Sequence, residues 1–568
     1  MKRLLSFFFV CFATISAHSL DREAFTFTKY DLNVRIEPEQ QRLGVRGTIT
    51  LRNDSPSPQR SLSLQISSSL HWSSIQFKNT PVEYLTQPYT SDIDHTGELS
   101  EAIVVLPQPV PPKQSIELEI GYEGIIQQDA TRLTRIGVPE ETAKHTDWDQ
   151  IGQSFTAVRG IGYVAWYPIA TESASMSDPG SLVAAIGRWK ARETAAEMNV
   201  VLTMYSNGQS KVLCNGPATP ISYEATGTVS IGKMQCKFGL LDQVVPLLVV
   251  GNFDLLDRPA VNILYLPEHK SGAGDYGSAI DEAAPLVIKW FGDHREGTEP
   301  KAETVDLPDA NAEPYESRNM LLMPLSGSDT KLLLSGVQQL THVYFHSSRK
   351  WIYKGLATYA QARFIEEKES HQAAIAYMEA HRNVMIDAEK QQAAAPHNPD
   401  STALINATDE SSIQTKAMYV WWMLRDMAGE TAFDAALHNY KAAEDNSPTY
   451  MQKLLESAAH RDLQWFFDDW VYHDRALPDF RIDSVYASKL ATGGYMVTVT
   501  VENLGGAAAE TPITLLLKTG DASGRLMVAA KSKASLRIET PSLPQEAIVN
   551  DGSVPERDTS NNEYKLNH

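Results

Sequence analysis

The sequence predicts an α+β chain in three parts: an N-terminal β-sandwich, a mostly α-helical middle and a small C-terminal β-sandwich. Three observations predict it. Apolar residues alternate with polar ones from residue 25 to about 259, the spacing changes to that of amphipathic helices near Asp275, and alternation returns after Pro478. A chain of 568 residues is also too long for a single hydrophobic core.

The amino terminus comes before these parts. Lys2 and Arg3 precede a short apolar run over residues 4–13, and Ala17 and Ser19 are placed for cleavage after Ser19. This pattern predicts a secretory signal peptide over residues 1–19, too short to span a bilayer. No other stretch of the sequence is apolar enough for a span. A mature protein in the periplasm or secreted medium is therefore expected, divided as 20–259, 260–477 and 478–568.

In the first part Tyr30, Leu32, Val34 and Ile36 alternate with polar residues, and GTITLRN (47–53) repeats the pattern. Turns rich in Pro, such as PQPVPP (107–112), punctuate it. Cys11 leaves with the signal peptide, and Cys214 and Cys236 remain, 22 residues apart. An oxidising compartment leaves a disulfide between neighbouring strands open to this pair, and two cysteines alone do not make a structural zinc site. Asn53 and Asn406 head sequences of the glycosylation type.

In the middle part DYGSAIDEAAPLVIKWFG (275–292) reads as an amphipathic helix ending at Gly292, with a kink at Pro285. SDTKLLLSGVQQLTHVYF (328–345) opens on capping residues Ser328 and Asp329, and KGLATYAQARFIEEK (354–368) follows. Further helical patterns cover 371–391 and 415–440, where Trp421 and Trp422 read as core. The last part returns to strands in YMVTVTVEN (495–503) and ITLLLKT (513–519). Apolar and charged fractions of 42% and 21% are those of a globular protein. The formal charge of −20 argues against nucleic acid as a partner, because phosphate binding needs clustered Lys and Arg.

Six phrases in the middle of the chain resemble the M1 family of zinc aminopeptidases, a gluzincin group. WIYKGLATY (351–359) is similar to the family's W-L-x-E-G-x-A-x-Y phrase, and QQLTH (338–342) to an H-E-L-T-H form of its zinc motif. PYESRNMLLM (314–323) resembles the exopeptidase strand G-A-M-E-N. TKAMYVWWMLRDMAGETAF (415–433) resembles the helix that begins Y-x-K-G-A, with Lys416 at its Lys. WFFDDWVY (465–472) and VVGNFD (249–254) resemble phrases that close the catalytic and amino-terminal domains.

The resemblance implies a zinc site, and this chain departs from it. In H-E-x-x-H the two His lie one helical turn apart and the Glu activates the metal-bound water. Here Gln338 replaces the first His, Gln339 the catalytic Glu, and Lys354 the third ligand, so that His342 alone is retained. A lysine ammonium has no lone pair for a metal and repels a dication. A carboxamide takes no proton from water. Gln414 stands where the resemblance places the Tyr that supports the transition state, and Glu316 matches the Glu that binds a substrate's amino terminus. Glu316 equally suits an ion pair with Lys354. The four side chains of Gln338, Gln339, His342 and Lys354 are expected to converge at the floor of a cleft.

A second register pairs His342 with His346, again one turn apart, with Glu366 near the customary distance. It sets Val343 at the base position and gives up the match of WIYKGLATY, because Lys354 and Glu366 lie about 18 Å apart along a helix.

The expected function is that of an exported, degenerate M1 member, a zinc-free pseudopeptidase that binds a peptide terminus or a protein partner. No cofactor is expected. An active zinc aminopeptidase, with zinc held through His342 and His346 or a displaced carboxylate, is the alternative, and a structural protein of the cell envelope is a third.

Overall fold

The computed structural model describes residues 20–206, 210–226, 229–241, 244–295, 301–326, 330–394, 402–407 and 409–566. The expected signal peptide, Ser328, Asp329 and Thr408 lie outside the described residues.

Strand Phe25–Glu37 carries the alternation of its sequence directly into structure: Tyr30, Leu32, Val34 and Ile36 are buried at 2% exposure or less. It pairs antiparallel with Arg42–Asn53 and parallel with Glu197–Ser206, at the centre of an eight-stranded sheet. A three-stranded sheet in the order Gln59–Ser67, Glu98–Val110, Glu83–Thr90 contributes Leu64, Ile66 and Val104 to the same core, and the two form the expected sandwich. The amide of Asn53 donates to the carbonyls of Ser57 and Val110 and is fully buried, which leaves it no room for a glycan.

This part is not purely β. Helix Pro179–Arg192 adds Leu182, Ala185 and Trp189, buried on one face at helical spacing, to the same core, with Pro179 at its start. Cys214 and Cys236 are joined in a disulfide. It links the sheet of Lys211–Cys214, Leu248–Gly251 and Phe155–Val158 to the eight-stranded sheet, and so ties two sheets together rather than two neighbouring strands.

The middle opens with a five-stranded sheet in the order Asp254–Asp257, Val261–Tyr265, Ala302–Asp306, Met320–Met323, Tyr315–Ser317. Helix Lys270–Phe291 runs on through Pro285 as one element, and that residue lies on its exposed face. Helix Thr330–Tyr344 buries Val337, Leu340 and Tyr344 at spacings of three and four residues; Lys350–Lys368 packs beside it and is itself flanked by His371–Ala394 and Glu410–Ala428. Lys350–Lys368 and Glu410–Ala428 touch closely at Gly355, where a Cβ would fall 2.3 Å from the Cβ of Ala417. Beside it Trp351 and Trp421 stack with centroids 4.9 Å apart. Both Trp421 and Trp422 are fully buried, as the sequence suggests.

After a short helix Gln464–Phe467 and a π-helical turn Asp468–Tyr472, the chain enters two antiparallel sheets of three and four strands. Their inner residues Val497, Val499, Ile513 and Val549 join one apolar cluster with Trp351, Trp421 and Trp470 of the helical part. A hydrophobic core shared in this way fixes the helices against the last sheets.

Candidate functional site

The residues of interest meet where helix Thr330–Tyr344 faces the edge strand Tyr315–Ser317. Gln338 and His342 are four residues apart and project from one side of the helix. Both engage Glu316. The Gln338 amide nitrogen donates to Glu316 Oε2 at 2.7 Å, and His342 Nδ1 lies 2.8 Å from Oε1. The side chains of His342 and Glu316 are only 4% and 6% exposed. Burial alone would raise the Glu316 carboxyl, but His342, then Lys354 and the Gln338 amide, outweigh it and hold the group below its usual range. Glu316 is therefore ionised at neutral pH, and His342 presents it with Nδ1–H.

Lys354 contributes by charge rather than by contact. It lies within electrostatic reach of Glu316 and of Glu410 and makes no ion pair within 4 Å among the described residues. Burial of Glu410 is opposed first by Lys190, whose Nζ lies 2.7 Å from it, and then by Lys354, so that its carboxyl is held down to about 2. The expected ion pair of Glu316 with Lys354 is replaced by the bond to His342.

Gln339 does not join this group. Its side chain turns toward the five-stranded sheet, accepting from Thr304 Oγ1 at 2.9 Å and donating to the Glu303 carbonyl at 2.9 Å. Successive helical residues diverge by about 100°, so Gln339 faces the sheet strand Ala302–Asp306 while Gln338 faces Glu316. The expected convergence is thus met by Gln338 and His342, with Glu316 as the centre. Gln414 is half-buried on helix Glu410–Ala428. On that helix Lys416 bonds Asp474 at 3.2 Å.

The second register finds no geometry to support it. His346 lies past the end of the helix and is exposed. It meets the edge of Tyr353 at 5.7 Å, while His342 stacks on the face of the same ring at 3.9 Å. Glu366 is bonded to His371 at 2.8 Å and to Arg425 at 2.5 Å, on the side of the helix that faces the C-terminal sheets.

A cavity of about 850 Å³ opens beside the Gln338–Glu316–His342 group. Gln339, His342, His346 and Tyr353 line one side, and Arg318, Asn319, Lys301 and Arg295 another. Sequence reasoning missed these last four. Arg318 and Asn319 form one hairpin turn, Arg295 and Lys301 flank the connection from Phe291 to Ala302, and no motif joins the two pairs.

A search of solved structures places this architecture. The crystal structure of Legionella pneumophila aminopeptidase A in complex with aspartic acid matches with a TM-score of 0.58 and 12% identity, over 95% of this chain and 60% of that one. The M1 zinc metallopeptidase of Deinococcus radiodurans matches with a TM-score of 0.46 and 16% identity, over 81% of this chain and 97% of that one. No family model and no curated protein matches the sequence. The likeness is one of fold: N-terminal sheets, a central helical part and C-terminal sheets.

The zinc that the resemblance in sequence implies does not fit the side chains present. Among the described residues no three His, Cys, Asp or Glu side chains stand together as a metal-ligand group. A catalytic zinc needs three protein donors and a water. Gln338 turns its N–H toward Glu316, His342 Nδ1 and Glu316 Oε1 bind each other, and the third position carries an ammonium.

Proposed function

We propose that this protein is an exported, zinc-free member of the M1 aminopeptidase group, and that its cleft binds a peptide or a protein rather than cutting one. The observation that carries this reading is the closed group of Gln338, Glu316 and His342, with Lys354 supplying positive charge nearby. On this reading a buried carboxylate, its two hydrogen-bond partners and a lysine take the place of a dication and its ligands. The charges balance without a metal, as buried charges must. Glu316, matched to the amine-binding position, has both carboxylate oxygens engaged inside the protein, so its role is to hold the group together. Gln339 at the base position and Gln414 at the Tyr position take away proton transfer and a donor to a developing oxyanion.

Export is supported by the amino-terminal pattern and by the Cys214–Cys236 disulfide, since such bonds persist in oxidising compartments. Among the described residues no helix is long and apolar enough to cross a membrane. The division at 259/260 and 477/478 is kept as the proposed domain plan.

Hydrolysis of amino-acid anilides, followed with and without added zinc, tests the reading. No turnover in either condition is expected, and zinc-dependent turnover would overturn it. Mass determination of the exported protein tests cleavage after Ser19.

A further inference from the structure

The cavity beside the pseudo-site has a charge opposite to that of the chain. Arg295, Lys301 and Arg318 line it against one carboxylate, Asp293, in a protein whose formal charge is −20. Two of the three cations have acidic partners: Arg295 forks onto Asp293, and Lys301 bonds Asp257. Arg318 has none within 4 Å among the described residues. Its Nη1 donates to the Phe238 carbonyl at 2.9 Å, and the rest of the guanidinium is exposed.

The backbone that presents Arg318 is costly to form. Ser317 pairs with Met320, so Arg318 and Asn319 are the two central residues of a tight hairpin, and Arg318 has φ +57°. The first central position of such a turn is one that Gly takes readily, and a side chain there is strained by about 1 to 2 kcal/mol. Strain held at a single exposed arginine points to a use for its side chain.

Two buried polar atoms, on residues that line the same cavity, have no hydrogen-bond partner among the described residues. One is His342 Nε2, on a ring only 4% exposed whose other nitrogen is fixed on Glu316, and the other is Asn319 Oδ1. Buried polar atoms without partners are rare in folded proteins, and such pairs at a cavity wall suit a ligand.

We propose that this cavity binds a carboxylate of a peptide, with Arg318 as the charged clamp and the Asn319 amide as a further donor. Asn319 turns its amide nitrogen to the ligand by rotating its end group, since neither end is bonded among the described residues. That the anion belongs to a peptide rests on the proposed function. An acidic side chain and a C-terminal carboxylate share this chemistry.

Calorimetric titration of the full-length mature protein separates the sources. The probes are three amino-terminally acetylated peptides: one with a central Glu and an amidated end, its Gln counterpart, and a neutral peptide with a free carboxyl end. Binding of the Glu peptide or of the free-end peptide, with no binding of the Gln counterpart, is expected, and whichever binds names the source. Arg318→Gln should weaken that binding by roughly tenfold or more, the loss of one charge-assisted hydrogen bond. Arg318→Gly should weaken it equally while raising thermal stability, because Gly relieves the turn. A fold defect does not give that pair of results. Equal binding of the Gln counterpart, binding of inorganic phosphate alone, no binding at all, or an affinity unchanged in both Arg318 variants would overturn the proposal. Zinc content and anilide hydrolysis, measured on the same preparation, report separately on the pseudopeptidase reading.

Discussion

Replacing Glu316 by Ala tests the closed group at its centre. The substitution leaves His342 Nδ1–H and the Gln338 amide N–H without their acceptor, both at positions shielded from solvent. Each buried donor left without a partner costs about 1 to 3 kcal/mol. It also removes the carboxylate that offsets Lys354 and His342. The two losses are not independent, and His342 borders a cavity from which water can reach it, so the expected cost is about 2 to 4 kcal/mol rather than the full sum. Glu316→Gln keeps one acceptor oxygen and sets an N–H₂ against the other donor, for a smaller loss of about 1 to 2 kcal/mol. The chain has several apolar cores, so a local readout isolates this group best. Amide hydrogen exchange across Thr330–Tyr344, followed by mass spectrometry, should speed up in both variants in the order Ala over Gln. Exchange unchanged in the Ala variant would refute the claim that this group holds the pseudo-site.

Further perturbations have definite outcomes. Gln338→His combined with Lys354→Glu should bind zinc more tightly than the wild type, read by competition with a chromogenic chelator, since it restores a second imidazole one turn from His342. Adding Gln339→Glu to that pair should lower thermal stability, because it sets a carboxylate against the Glu303 carbonyl. His371 bonds Asp551 at 3.1 Å and Glu366 at 2.8 Å, and these hydrogen bonds push its pKa up to about 10 from 6.5. Because the folded value is the higher one, this stabilisation is whole below about pH 6.5 and is lost as pH rises toward about 10. His371→Gln should flatten the fall in thermal stability over that window. Gly355→Ala should cost about 1 to 3 kcal/mol, measured by thermal unfolding, because its methyl has no room beside Ala417. Reduction of Cys214–Cys236 should cost about 3 kcal/mol in the N-terminal sheets, from the 22-residue separation that it closes.

Periodicity carried the fold a long way. Alternation in Phe25–Glu37 and Tyr495–Asn503, and three-four spacing in Thr330–Tyr344, are local patterns that burial of one face enforces. Helix Pro179–Arg192 was also legible, with Pro179 at its start and Leu182, Ala185 and Trp189 on one face, but its surroundings of short strands hid it. The short strands Tyr315–Ser317 and Ala302–Asp306 carry no period long enough to read, because pairing rather than pattern defines them. At the site, the i, i+4 spacing of Gln338 and His342 foretold that they share a face. It did not foretell their partner, because Glu316 reaches them only through the register of a hairpin 22 and 26 residues away. Gln339 and Lys354 depart from the expected cluster for the same reason: which face meets which neighbour is a tertiary fact. The cationic wall drawn from Arg295, Lys301 and Arg318 left no trace in sequence, since its members share no element.

The central claim is that a carboxylate, an amide and an imidazole, with an ammonium in electrostatic reach, stand where a metal centre would be. Metal analysis by plasma mass spectrometry of the protein, purified without chelators and then dialysed against zinc, tests it most directly. Zinc at the level of the dialysis buffer is the predicted result. One tightly held zinc per chain would contradict the account.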